Sequence, residues 1–181
     1  MSDSMHLPLT GWLNPRAQWD AIDCPVDRAV ELVGNRSAFL LMREAFYGTT
    51  RFNDFAVRVG ISESVASTRL NSLVDAGLLE RRPYRDPGER TRHDYHLTEM
   101  GADFFPVLAA LMQWGERRRG PSPMSLPHRG CGAAVRTEPH CSEGHHVAVS
   151  DIDLVPDVPM DSLVRQGESA QPTTTSPHST P

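Results

Sequence analysis

The spacing of apolar residues changes along the chain, and each change marks an element. From Cys24 to about Phe46, Val26, Ala29, Val30 and Val33, then Phe39, Leu40, Leu41 and Ala45, fall at helical spacing. Gly34 to Ser37 interrupts them, which predicts two helices or one bent one. After the turn Gly48-Thr49-Thr50, Phe52, Phe55, Ala56 and Val59 form a single helical stripe, and Gly60 ends it as a C-cap. Ser62 is a good N-cap for the next helix, with Glu63 favourable in its first turn. That helix, running to about Ala76, carries two faces: Ala66, Leu70, Leu73 and Val74 are apolar, whereas Ser64, Ser67, Thr68 and Asn71 make a polar stripe.

A short helix, a glycine-containing turn and a second helix with small polar residues outward are the parts of a helix-turn-helix. Alone, the polar stripe reads equally as a solvated face. The next stretch of chain decides between the two: Leu78 to Arg82 and Arg92 to Leu97 read as strands around DPGERT, a turn built on Pro87 and Gly88. Arg81, Arg82, Arg85, Arg90 and Arg92 make this hairpin basic. A basic hairpin directly after a helix-turn-helix is a wing, which reaches phosphates or the minor groove while the helix enters the major groove.

Thr98 is set to cap a last long helix in which Phe104, Phe105, Val107, Leu108, Leu111, Met112 and Trp114 cover much of the circumference, with Pro106 expected to kink it. So much apolar surface exceeds what a small domain requires, so half of it is free to bury against a second subunit, the alternative being a terminal helix folded wholly onto its own core. The expected division is an N-terminal arm over 1–23, a DNA-binding and dimerisation domain over 24–119, a linker over 120–127, a small Cys/His extension over 128–165, and a disordered Pro/Ser/Thr-rich tail over 166–181. In the arm, Trp12 and Trp19 are costly to expose, so it is expected to pack onto another surface, with a partner subunit as one candidate.

Net charge on its own opposes nucleic acid, because the chain of 181 residues carries −5. The acidity sits in the ends, however: between Cys24 and Arg119 there are 14 arginines against 13 acids. Without an apolar run of membrane-spanning length or a secretory leader, the expected compartment is the cytoplasm. Three cysteines at uneven spacing make no disulfide framework and read as free thiols or metal ligands.

These residues together resemble the HxlR-type family of bacterial winged helix-turn-helix regulators. Matching elements are Cys24-Pro25, the Leu-Val-Gly ending in Gly34, Arg51-Phe52-Asn53-Asp54-Phe55, Gly60-Ile61-Ser62, Arg69-Leu70 with Leu73, and Gly77-Leu78-Leu79. Downstream, Arg82-Pro83-Tyr84, Tyr95 with Leu97-Thr98 and Gly101, then Pro106-Val107 and Trp114 fit as well, so the likeness runs in register from about Cys24 to Arg118. It departs at Ser37, where the family usually has a tryptophan whose loss removes packing from the first helices. The resemblance implies a mainly α fold with a small β wing, and homodimers on near-palindromic operators in double-stranded DNA. It also implies a cysteine at the position of Cys24 that some members use as a reactive-species sensor, against the plainer reading of a small apolar residue near the dimer interface.

Longer members of the family carry a ribbon with a His-x-x-Cys-Gly start and a Cys-x-x-Cys end, which looks like a structural zinc site. His128 and Cys131 fit the first half and Cys141 the second, with Gly144 in place of the last cysteine and His145 one residue on. Two readings stand: zinc held by His128, Cys131, Cys141 and His145, or a ribbon that has lost its metal.

On this reading Ser62 caps the recognition helix, Ser64, Ser67, Thr68 and Asn71 face base edges, Arg69 lies near phosphate, and Arg90 and Arg92 hold the backbone through the wing. Two alternatives belong to other classes. One is a winged-helix protein-interaction module without specific DNA binding, allowed by the near-neutral local charge. The other, an enzyme built on the C-terminal Cys/His cluster, lacks room for a pocket and a placed general base, so no catalytic residue is assigned.

Overall fold

Helices form where the apolar stripes predict them, and their ends follow from capping chemistry. The computed structural model describes residues 6–16, 24–85, 87, 88 and 90–159. The chain divides into two compact units, one spanning Asp23–Glu138 and the other combining Met1–Ile22 with Pro139–Pro181.

In the larger unit, α1 (Pro25–Val33) and α2 (Arg36–Phe46) are separate helices. Asn35 divides them, its side chain accepting the Ala38 N–H at 2.9 Å as the N-cap of α2. Helix α3 (Phe52–Val59) ends at Gly60, whose φ of 70° is the left-handed conformation that glycine adopts without a Cβ penalty. Two residues later Ser62 caps α4 (Glu63–Asp75), its hydroxyl oxygen accepting the Val65 N–H at 3.3 Å. Strands β1 (Leu79–Tyr84) and β2 (Arg92–Leu97) then pair antiparallel, with Leu79 opposite Leu97 and Arg81 opposite Tyr95.

Leu41, Met42, Phe55, Leu70, Leu73 and Leu79 are fully buried at the junction of α2, α3, α4 and the hairpin. Burying side chains of this size is worth about 1.5–3 kcal/mol each, which holds the three helices as one body. The hairpin is fixed to that body in two ways. Tyr95 donates its backbone N–H to the Thr50 carbonyl at 2.9 Å, and its ring meets Phe55 edge-on at 6.1 Å.

The C-terminal helical region differs from the single kinked helix expected. Thr98 does cap a helix, accepting the Gly101 N–H at 2.9 Å, but this α5 (Glu99–Ala102) is four residues long. A separate α6 (Phe105–Arg119) follows, with Pro106 in its first turn. There a proline costs nothing, because first-turn N–H groups have no intrahelical acceptor. Phe104 and Phe105 anchor the start of α6 against α2, lying 5.6 Å from Phe39 and 5.4 Å from Phe46.

Much of the apolar surface of the flanking helices is open. Of the α1 stripe only Val33 is buried, whereas Val26 and Val30 are exposed. Helix α6 buries Leu108 and Ala109 and exposes Val107, Leu111 and Trp114, the last at 54%. Beyond α6, a small loop pairs Pro127 with Ala134 and is tied back by Gln113, which donates to Val135 O and accepts from Thr137 N, both at 3.1 Å. The division between the units therefore falls at Pro139, inside the expected Cys/His extension.

In the smaller unit, Leu9 pairs with Leu154 as a parallel bridge, and the Trp12 indole donates to the Val158 carbonyl at 2.8 Å. The arm thus finds partners for Trp12 within its own chain. Trp19 and the expected disordered tail over 166–181 lie outside the described residues. Among the described residues no helix is long and apolar enough to cross a membrane.

Candidate nucleic-acid interface

The outward face of α4 matches the polar stripe, with its hydrogen bonding now defined. Ser62, Ser64 and Thr68 are exposed, and Ser67, Arg69 and Asn71 are half-buried. Thr68 donates its hydroxyl to the Ser64 carbonyl at 3.0 Å, one turn back. This local bond commits the only proton of the hydroxyl, so toward any further partner the oxygen can only accept.

Asn71 is not an isolated polar residue of that face. Arg81, from β1, donates to its Oδ1 and joins the helix to the wing. The neighbouring Arg82 is used differently, held on the hairpin by Glu80 at 2.6 Å. Arg90 and Arg92 are exposed, on the return side of the wing.

Another arginine enters from outside the hairpin. Arg51, the residue before α3, lays its guanidinium 3.3 Å from the centroid of the Tyr84 ring and brings Nε to 3.2 Å from Asp94 Oδ1. Helix α3, the wing and, through Asn71, α4 are thereby linked by arginine contacts. Neither set of contacts is visible in the sequence. Arg51 stands there only as the first residue of the matching stretch Arg51-Phe52-Asn53-Asp54-Phe55, and the partner of Arg81 lies ten residues back on another element.

The remaining candidates are placed as follows. Cys24 is a free, half-buried thiol at the N-cap of α1, without a side-chain capping bond. His128 Nδ1 lies 3.3 Å from Cys131 Sγ, in a turn closed by the Gly132 N–H to the His128 carbonyl. Cys141 and His145 sit in a second turn, where the Cys141 N–H meets the His145 carbonyl at 3.0 Å. Those pairs belong to different compact units, and among the described residues no group of three or more His, Cys, Asp or Glu is gathered as a metal ion requires.

Comparison with known proteins places this geometry. Residues 32–122 match the HxlR-like helix-turn-helix family. The chain is 44% identical over 125 residues to the HTH-type transcriptional regulator Rv3095 of Mycobacterium tuberculosis, covering 65% of this chain and 77% of that one. Among solved structures, PA1607, a candidate transcription factor, superposes with a TM-score of 0.64 at 31% identity, over 73% of this chain and 94% of its own. PA1374 of Pseudomonas aeruginosa, likewise a candidate transcription factor, gives a TM-score of 0.54 at 32% identity, over 78% and 99%.

Proposed function

The chain belongs to the HxlR-like helix-turn-helix family of transcriptional regulators, and on that premise we propose that it acts as a homodimer on near-palindromic operators in the cytoplasm. It is a DNA-binding regulator and not an enzyme. The observation that carries the residue-level reading is the bond from Arg81 to Asn71, which ties the polar face of α4 to the basic hairpin so that both meet one duplex. Ser64, Ser67, Thr68 and Asn71 face base edges from the major groove, with Arg69 toward phosphate, while Arg90 and Arg92 take backbone contacts that set affinity more than sequence choice. The exposed apolar residues of α1 and α6 supply the surface that a second copy covers.

Fluorescence anisotropy of a labelled duplex across a salt series tests this. Wild type should bind with a steep inverse dependence on salt, and Arg90→Ala and Arg92→Ala should each weaken binding to all sequences alike and reduce the slope by about one unit. No duplex affinity at low salt would reject the reading, and unchanged slopes in both variants would remove the wing from the backbone.

A further inference from the structure

We propose that Glu44, a buried carboxylate on α2, is a positioning residue for the wing: it holds Thr49 and so aims the Thr50 carbonyl that carries Tyr95 of β2. Glu44 is 5% exposed and follows closely on Leu41 and Met42, which are fully buried. This role rests on the reading above that the hairpin meets DNA, and it sets the angle of the hairpin rather than any contact the hairpin makes.

A carboxylate is costly to bury unless its oxygens are engaged. Here each has its own donor: Arg43 Nη2 reaches Oε1 at 2.7 Å, and the Thr49 hydroxyl donates to Oε2 at 3.2 Å. The Thr49 backbone N–H also donates to the Glu44 carbonyl at 3.0 Å, so Thr49, itself buried, is gripped through main chain and side chain by a single residue. The turn just before it is open, with nothing within 4 Å of where a Cβ on Gly48 would stand. Packing at Gly48 therefore does not set the direction in which the chain leaves α2, and the two bonds of Thr49 do.

The next two residues carry that direction to the hairpin. The Thr50 carbonyl accepts the Tyr95 N–H at 2.9 Å, and Arg51 stacks on Tyr84 and pairs with Asp94. A two-stranded ribbon is marginal alone, so its angle follows from what it is tied to. Stability by itself does not account for a carboxylate at this place, because an apolar side chain of similar size would bury without the desolvation cost. What Glu44 adds is direction, through two oxygens that accept from one donor on α2 and one beyond the turn.

Two measurements on the full chain test this role: amide exchange at Tyr95 without DNA, and the salt dependence of duplex binding. In the double variant Glu44→Leu with Thr49→Val both partners become apolar at similar shape, which is nearly neutral for stability, and the part-exposed Arg43 side chain can turn to water. Its melting temperature should stay close to wild type and exchange at Leu41 and Leu70 should be unchanged, while exchange at Tyr95 becomes at least tenfold faster. Duplex binding should weaken several-fold, with a salt slope lower by about one unit. Glu44→Gln, whose amide still spans Arg43 and Thr49, should keep wild-type exchange at Tyr95 and the wild-type slope. If the double variant does not fold, Thr49→Val alone, which removes only the hydroxyl bond, is read in its place. A folded variant with wild-type exchange at Tyr95 overturns the role, and so does faster exchange there with slope and affinity unchanged. Exchange that rises equally at Leu41 and Leu70 overturns it as well, since Glu44 would then serve the core and not the wing. Should the wild type bind no duplex, the DNA reading fails by itself, and exchange at Tyr95 still decides whether Glu44 holds the hairpin.

Discussion

The guanidinium of Arg51 stacks on the ring of Tyr84 at 3.3 Å, which fixes the tip of the first wing strand to the entrance of α3. Such a contact is worth about 0.5–2 kcal/mol, and it acts on an otherwise two-stranded ribbon that is marginal by itself. Tyr84→Ala should therefore loosen the wing without unfolding the helices. The expected result is a several-fold loss of duplex affinity, with faster amide exchange at His93 and Asp94 and a melting temperature close to wild type. A wild-type exchange pattern in this variant would show that the stacking does not hold the wing.

The exposed apolar side chains of α6 are expected to lie between two subunits. Leu111 and Trp114 stay open to solvent although Leu108 and Ala109 of the same helix are buried. An introduced carboxylate would be costly in an apolar interface and nearly neutral on a free surface. Trp114→Glu should scatter light as a single chain at micromolar concentration while wild type scatters as two, and operator affinity should fall steeply. Equal masses for the two proteins would exclude this face from the dimer.

Gly101 is required by close approach and not by its dihedral angles. A Cβ there would stand 2.0 Å from the Leu78 carbonyl oxygen, a backbone atom that cannot move aside by changing rotamer. Leu78 is also held by the Thr98 N–H at 3.2 Å, so α5 must shift as a whole. Gly101→Ala should cost about 1–3 kcal/mol, read as a lower urea midpoint at an unchanged m-value. An unaltered midpoint would mean that α5 is mobile enough to retreat.

Local chemistry makes much of the domain legible. Gly60 and Ser62 announce the end of one helix and the start of the next through φ preference and capping, which are properties of single residues. The same logic misses the break between α5 and α6. In the sequence Pro106 reads as a mid-helix kink, because the aromatic contacts of Phe104 and Phe105 with α2 that start a new helix are tertiary. The interface divides in the same way. The polar stripe of α4 has a period and can be read, whereas Arg51 and Arg81 acquire their places only when α3, α4 and the hairpin come together. The size and indole N–H of Trp12 show that it needs a partner, but a bond to a residue 146 positions away leaves no local trace.

The pair Asn71 and Arg81 sets a base preference. A guanidinium only donates, so the amide atom that meets Arg81 is Oδ1, and the atom wholly left for a base is Nδ2 with its donors. The paired Asn-to-adenine contact needs Oδ1 and Nδ2 together, one accepting from N6 and the other donating to N7. Arg81 occupies one of the two lone pairs of Oδ1 and fixes its direction, so Asn71 is biased toward an acceptor on the base, such as guanine O6 or N7 or thymine O4, which Nδ2 can serve alone. Selection from random duplexes should then enrich guanine or thymine at one position of each half-site for wild type, and shift that position to adenine for Arg81→Ala, where Oδ1 is released. A good bidentate contact discriminates by about 1–3 kcal/mol, so the shift should be at least several-fold while the other positions keep their preferences. Wild type that already selects adenine at that position, with no change in Arg81→Ala, would show that Asn71 lets go of Arg81 when DNA binds.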